Sequence, residues 1–117
     1  MTVLAGAKAK PPPRLKRRAE FLAVAAKGRK AQTTGLVLQA LATGAPARFG
    51  FTATRKIGNA VIRNRARRRL REAARLHVAE HTLDGADFVL IARRDTARRP
   101  FALLRADLVH AIMKVAP

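Results

Sequence analysis

Between positions 55 and 75 the chain sets nine basic side chains against a single acid, Glu72, and eight of the nine are arginine. At about 100° per residue, Ile62, Ala66, Leu70, Ala73 and His77 fall on one side of a helix. Arg65, Arg67, Arg68, Arg71 and Arg75 spread over the other. Most charge runs are simply solvated helix faces. Here, like charges three and four residues apart repel by about 0.2–0.5 kcal/mol per pair, so a face this one-sided is unfavourable alone and becomes favourable beside a polyanion. Arginine's planar, forked donors suit phosphate oxygens and stack on bases.

The rest of the chain supports a polyanionic partner. It has 117 residues, with 25 Lys or Arg against 7 Asp or Glu, for a net charge of +18. Because 49% of residues are hydrophobic and 27% charged, this is the composition of a folded domain and not of a disordered polycation. Five Phe with no Tyr or Trp leave little for base stacking, whereas an unspecific single-strand binder interleaves aromatics with its basic groove. The absence of cysteine excludes zinc fingers, disulfides and thiolate chemistry, and fits a reducing cytoplasm. Two partners remain: duplex DNA read by a helix in its groove, or folded RNA bound through phosphates and shape.

Other chemistries find weaker footing. Two-metal hydrolysis needs several convergent carboxylates, and the seven available are Glu20, Glu72, Glu80, Asp84, Asp87, Asp95 and Asp107. Only Asp84 and Asp87 are neighbours, flanking an expected turn. His77, His81 and His110 show no partner at catalytic spacing, and His77 on the apolar stripe reads as a packed residue. Gly58 before a helix start invites a phosphate-loop reading. It matches no Walker spacing, so a turn glycine is the expectation.

These side chains need elements to position them. Residues 1–13, mixing Ala, Gly, Lys and three prolines, read as a flexible basic tail, and the folded domain is expected over 14–117. Good helix formers over 17–27 predict a first helix, with Ala19, Leu22, Ala23 and Ala26 as its apolar side and Gly28 ending it in a left-handed turn. Residues 33–41 and 48–55 read as strands, and the Gly44-Ala45-Pro46 link predicts an antiparallel hairpin between them. Asn59 caps a long helix running to about residue 80. After a turn at 84–87, the apolar run at 88–91 predicts a central strand buried on both faces, and Pro100 opens a last helix. The order implies an α+β sandwich with a four-stranded sheet, three strands of which are visible in the pattern. No apolar run approaches the roughly 20 residues that span a bilayer, and the N-terminal residues lack a signal-type core, so a cytoplasmic protein is expected.

The stretch at 54–71, TRKIGNAVIRNRARRRLR, resembles the signature of the bacterial ribonuclease P protein component, with Arg63-Asn64-Arg65 as its RNR core. Arg14-Leu15-Lys16 and the segment 20–24 are similar to that family's first helix, and 87–93 to its late strand, so the likeness covers nearly everything after residue 13. The resemblance implies an α-β-β-β-α-β-α order in a small two-layer sandwich with a left-handed βαβ crossover, a fold shared with a domain of a small-subunit ribosomal protein. Right-handed crossovers being the rule, that hand comes from the resemblance alone. It further implies an accessory subunit. A catalytic RNA uses Mg²⁺, held mainly by that RNA, to remove the 5′ leader from precursor tRNA, with no membrane or protein partner implied. By similarity Arg63, Asn64, Arg65, Arg67, Arg68 and Arg71 contact the RNA subunit, while Phe21, Arg55, Lys56 and Arg93 hold the leader. Ala25 stands where the family often has a second aromatic, which leaves the leader to Phe21 and charge. A structural ribosomal-type RNA-binding protein is the rival expectation, sharing charge and size.

Overall fold

In the computed structural model, which describes residues 12–81 and 83–115, the elements run α1 (Arg18–Lys27), β1 (Arg29–Gln32), β2 (Leu36–Pro46), β3 (Arg48–Thr52), a 3₁₀ turn (Arg55–Ile57), α2 (Ala60–Glu80), β4 (Asp84–Ala92) and α3 (Phe101–Val115). Of the tail expected over 1–13, residues 1–11 lie outside the described residues. The four strands form one sheet in the order β1-β2-β4-β3. β2 pairs antiparallel with β1 and β4, whereas β3 and β4 are parallel. A parallel pair needs a crossover, and α2 is that crossover.

Alternation along the strands decides what each face of the sheet covers. Leu36 and Leu38 of β2, Phe49 and Phe51 of β3, and Phe88 and Leu90 of β4 pack beneath α2 and α3. Phe49 is fully buried there, stacked between Phe88 at 5.1 Å and Phe51 at 6.2 Å. α2 meets this layer through Ala66, Leu70, Ala73, Ala74 and His77, close to the expected stripe, with Ile62 left exposed. Val89, one residue out of phase, joins Leu15, Val24 and Phe21 in a smaller cluster under α1. One helix therefore covers part of the opposite face.

Four sequence expectations need correction. The hairpin between 33–41 and 48–55 does not form, because β4 lies between β2 and β3. The run at 88–91 is apolar towards both faces, and only a central position buries both. Residues 84–87 open β4 instead of making a free turn, with a register irregularity between Ala42 and Pro46. Gly28 ends α1 in extended backbone, at φ −80°, its N–H donating to the Val24 carbonyl. The buried side of α1 is Val24 with half-buried Phe21, while Leu22 is 53% exposed and Ala19 and Ala26 face solvent. Alanines bury too little area to set a helix's rotation; a phenylalanine and an ion pair do.

That ion pair anchors α1. The Glu20 carboxylate accepts the backbone N–H groups of Lys16 and Arg17, each at 3.0 Å, and Arg48 Nη1 at 2.7 Å. Arg48 also donates Nε and Nη2 to Asp87 at 3.0 and 2.8 Å, so α1, β3 and β4 share one guanidinium. Beyond β3, Leu15 N–H donates to the Phe49 carbonyl at 2.8 Å and Phe49 N–H to the Pro13 carbonyl at 2.9 Å. The segment before α1 thus covers the outer edge of the sheet.

Glu72, whose pKa is lowered by its bond from Arg75, and two further groups give stability a pH dependence. The Lys16 and Arg17 N–H groups, with Arg48, hold the Glu20 carboxyl down to about 2, the Arg17 bond contributing most. Burial, assisted by neighbouring His81, lowers the pKa of His77. All three folded values lie below the unfolded ones, so each group's stabilisation is complete above its unfolded pKa and is lost as pH falls towards the folded value. The melting temperature is expected to start falling below about pH 6.5 through His77, and to fall again below about pH 4.5 through Glu20 and Glu72. In a pH series of thermal melts, His77→Leu should remove the upper limb and keep the lower one.

Candidate nucleic-acid interface

The cationic face is built on α2, whose entry is fixed by two local devices. Gly58 takes φ +149°, a conformation that side chains rarely adopt, and turns the 3₁₀ segment into the helix. Asn59 Oδ1 then accepts Ile62 N–H at 3.0 Å, the expected cap. Gly58 is thus a turn glycine, as its spacing predicts.

The arginines of α2 divide into two groups. Arg68 and Arg71 are exposed and make no hydrogen bond or ion pair among the described residues. Others are engaged with the protein: Arg63 donates to the Gly58 carbonyl at 3.1 Å, Arg67 to Asn64 Oδ1, and Arg75 to Glu72. Arg65 Nε donates to the Ala97 carbonyl at 2.8 Å, leaving the rest of its guanidinium on an exposed residue. Arg69, which falls within the basic run, turns inward. Its Nη1 and Nη2 donate to the carbonyls of Thr96 and Arg99, its guanidinium lies 5.9 Å from the centre of the Phe101 ring, and burial lowers its pKa.

Three recesses gather the expected site residues. The largest, about 690 Å³, brings Arg55, Lys56 and Arg65 together with Arg94 and Arg98 over Val61 and Ile62. A second joins Lys56 to Arg93 and Arg94. There Arg93 is steadied by its side-chain bond to the Thr33 carbonyl. A third sets Arg68 and Arg71 beside Arg14, whose guanidinium lies 5.9 Å from the centre of the Phe51 ring. Phe21 lines none of these recesses. Sequence reasoning does not single out Arg94, Arg98, Arg69 and Arg14, although the doubled arginines of RRDTARR at 93–99 carry a signal.

Phe21 instead depends on a glycine. A Cβ on Gly50 would lie 2.4 Å from Phe21 Cε2, so the ring rests on bare β3 backbone beside Leu15. Gly50→Ala is expected to cost about 1–3 kcal/mol through this overlap. In a Phe21→Ala background most of that cost should vanish, giving a coupling that a double-mutant cycle from urea unfolding measures directly.

Six acidic side chains are paired with arginines, and two of them, Glu72 and Asp95, line the third and second recesses. Glu20 and Asp87 pair with Arg48, Glu72 with Arg75, Glu80 with Arg105, Asp95 with Arg98 and Asp107 with Arg99. Among the described residues no three His, Cys, Asp or Glu side chains converge as metal ligands. Nor, among them, is any helix long and apolar enough to cross a membrane.

Comparison with known proteins agrees with this geometry. The family model described as Ribonuclease P matches residues 10–116. The chain is 57% identical over 103 residues to the ribonuclease P protein component of Gluconacetobacter diazotrophicus, covering 86% of this chain and 89% of that protein. It is 49% identical over 112 residues to that of Paramagnetospirillum magneticum, covering 87% and 81%. Among solved structures, the RNase P protein from Thermotoga maritima superposes with a TM-score of 0.76 at 28% identity, covering 89% of this chain and 98% of that one. The Staphylococcus aureus RNase P protein gives 0.72 at 27% identity, covering 87% and 95%. A ribosomal-type structural protein, the rival expectation, is not favoured by these matches. A crossover helix with a cationic outer face, on a fold and a sequence shared with these proteins, shows that the chain belongs to the ribonuclease P protein family, the accessory subunit of an endoribonuclease ribonucleoprotein.

Proposed function

We propose that this protein docks on the catalytic RNA of ribonuclease P through Arg63, Asn64, Arg65, Arg67, Arg68 and Arg71, and that Phe21, Arg55, Lys56 and Arg93 hold the 5′ leader of precursor tRNA while the RNA cleaves it. The observation that carries this reading is the asymmetry of α2. One side is locked into the core by Ala66, Leu70, Ala73 and Ala74, and the other presents Arg68 and Arg71 with no carboxylate partner among the described residues. A phosphate backbone relieves their mutual repulsion and gains charge-assisted hydrogen bonds.

In this reading the protein supplies charge and the RNA supplies chemistry. Mg²⁺ is held by the RNA, in keeping with the six carboxylates that pair with arginines among the described residues. The side chains bind, orient the substrate and screen phosphate repulsion, which lets the RNA fold and work at lower ionic strength. The reaction takes place in the cytoplasm.

Reconstitution tests the proposal. Purified ribonuclease P RNA and precursor tRNA are incubated at low Mg²⁺ with and without the protein. Faster leader removal in its presence is expected, with no cleavage by the protein alone. Equal rates with and without it would overturn the reading.

A further inference from the structure

Residues 93–99, between β4 and α3, carry four arginines around one acid. Two arginines from α2 fasten the middle of this loop. Arg65 holds the Ala97 carbonyl, and Arg69 spans the carbonyls of Thr96 and Arg99. Thr96 adds a buried hydroxyl that accepts Arg93 N–H at 2.8 Å and donates to the Gly35 carbonyl. Because of these bonds the loop stands beside the start of α2, and Arg94 and Arg98 line the 690 Å³ recess together with Arg55 and Lys56.

The recess is poorly explained as a stability device. Arg55, Lys56 and Arg94 make no ion pair among the described residues. Arg98 has only Asp95 at 3.6 Å, both side chains exposed, a pair of little worth in water. Arg69 is partly desolvated against carbonyls, with no carboxylate paired to it among the described residues and Arg65 adding repulsion. Burying a charge in this way generally costs more than packing an apolar side chain of similar size. Val61, 75% exposed, adds uncovered apolar surface to the lining. A recess lined by five cations with an exposed apolar side chain among them suits a nucleic-acid strand, with phosphates against the cations and sugar or base face against Val61.

We infer that Arg94 and Arg98, held in place by the Arg69 clamp, complete with Arg55, Lys56 and Arg65 a cationic cleft that grips RNA backbone phosphates. Arg69 is the positioning residue, and it touches no RNA. The inference rests on the RNA-subunit reading above and extends it to a loop outside the α2 helix. The phosphates belong either to the RNA subunit or to the leader.

Binding of the full chain to ribonuclease P RNA, and separately to a short single-stranded leader oligonucleotide, is measured across a salt series. For the double variant Arg94→Ala/Arg98→Ala, the plot of log affinity against log salt should be shallower by about two units on one of these RNAs, with an unchanged melting temperature. The RNA that responds identifies the source of the phosphates. Arg69→Met should lose part of the same slope and speed amide exchange over 96–99, and Arg69→Lys, whose ammonium cannot span two carbonyls, should not restore it. A purely structural Arg69 would lower the melting temperature and leave the slope alone. Wild-type slopes on both RNAs for the double variant overturn the inference while leaving the function intact, even if Arg69→Met fails to fold. If the unaltered protein prefers neither RNA to unrelated RNA, it is the function reading that falls, and the cleft with it.

Discussion

The double variant Arg68→Ala/Arg71→Ala is expected to bind ribonuclease P RNA with a salt slope about two units shallower than the unaltered protein, one unit for each phosphate that is no longer neutralised. Over a fourfold rise in salt the affinity gap between the two proteins should then change roughly tenfold. These two side chains are the cleanest probes on α2 because they lean on nothing. Both are exposed, and neither donates to a protein carbonyl or carboxylate among the described residues. Their removal should therefore leave the urea midpoint where it was, or raise it slightly, since two repelling cations leave the helix. Filter-binding or fluorescence titrations at four or five salt concentrations decide the matter, and an unchanged slope would mean these arginines face only solvent in the complex.

Phe49→Ala should do the opposite, damaging stability first and binding only in consequence. The ring is fully buried on the helix-covered face of the sheet, between Phe51 and Phe88. Removing it strips away apolar packing and leaves a cavity that small alanines on α2 cannot refill, at a cost of about 3–5 kcal/mol. Domains of this size are commonly stable by only about 5–15 kcal/mol, so the variant should melt far earlier. Urea unfolding with an unchanged m-value tests this. RNA affinity at low temperature should stay near normal, because every α2 arginine keeps its place while the fold persists. A destabilisation below about 1 kcal/mol would show that the sheet and helices collapse onto the vacancy.

How much of this is readable from residues alone depends on where the deciding partner sits. α2 is legible in its bounds and in most of its buried face, because Asn59 and the Ala66, Leu70, Ala73, His77 stripe are local signals; Ile62, expected on that stripe, is exposed. The central strand is legible from Phe88 to Ile91, since only a position with neighbours on both sides tolerates such a run. β1 is not: RKAQ buries Ala31 alone, and an edge strand needs no apolar pattern. The hairpin fails because short-range turn chemistry at 44–46 competes with the long-range demand of β4 for two neighbours, and tertiary burial wins. In the site, the basic run is plain, but which arginines serve the protein is not. Arg65 and Arg69 find their acceptors 27 to 32 positions away, and a clamp and a solvent-facing cation look identical in a string of letters.

The parallel pairing of β3 with β4 carries a kinetic consequence. To zip these two strands the chain must first close a loop that contains all of α2, its most self-repelling segment. Loop-closure entropy and Coulomb repulsion therefore oppose the same late step. Refolding from urea should accelerate with added salt or short polyphosphate, while unfolding changes less. The nascent chain would accordingly finish folding soonest in the company of the polymer it is built to meet.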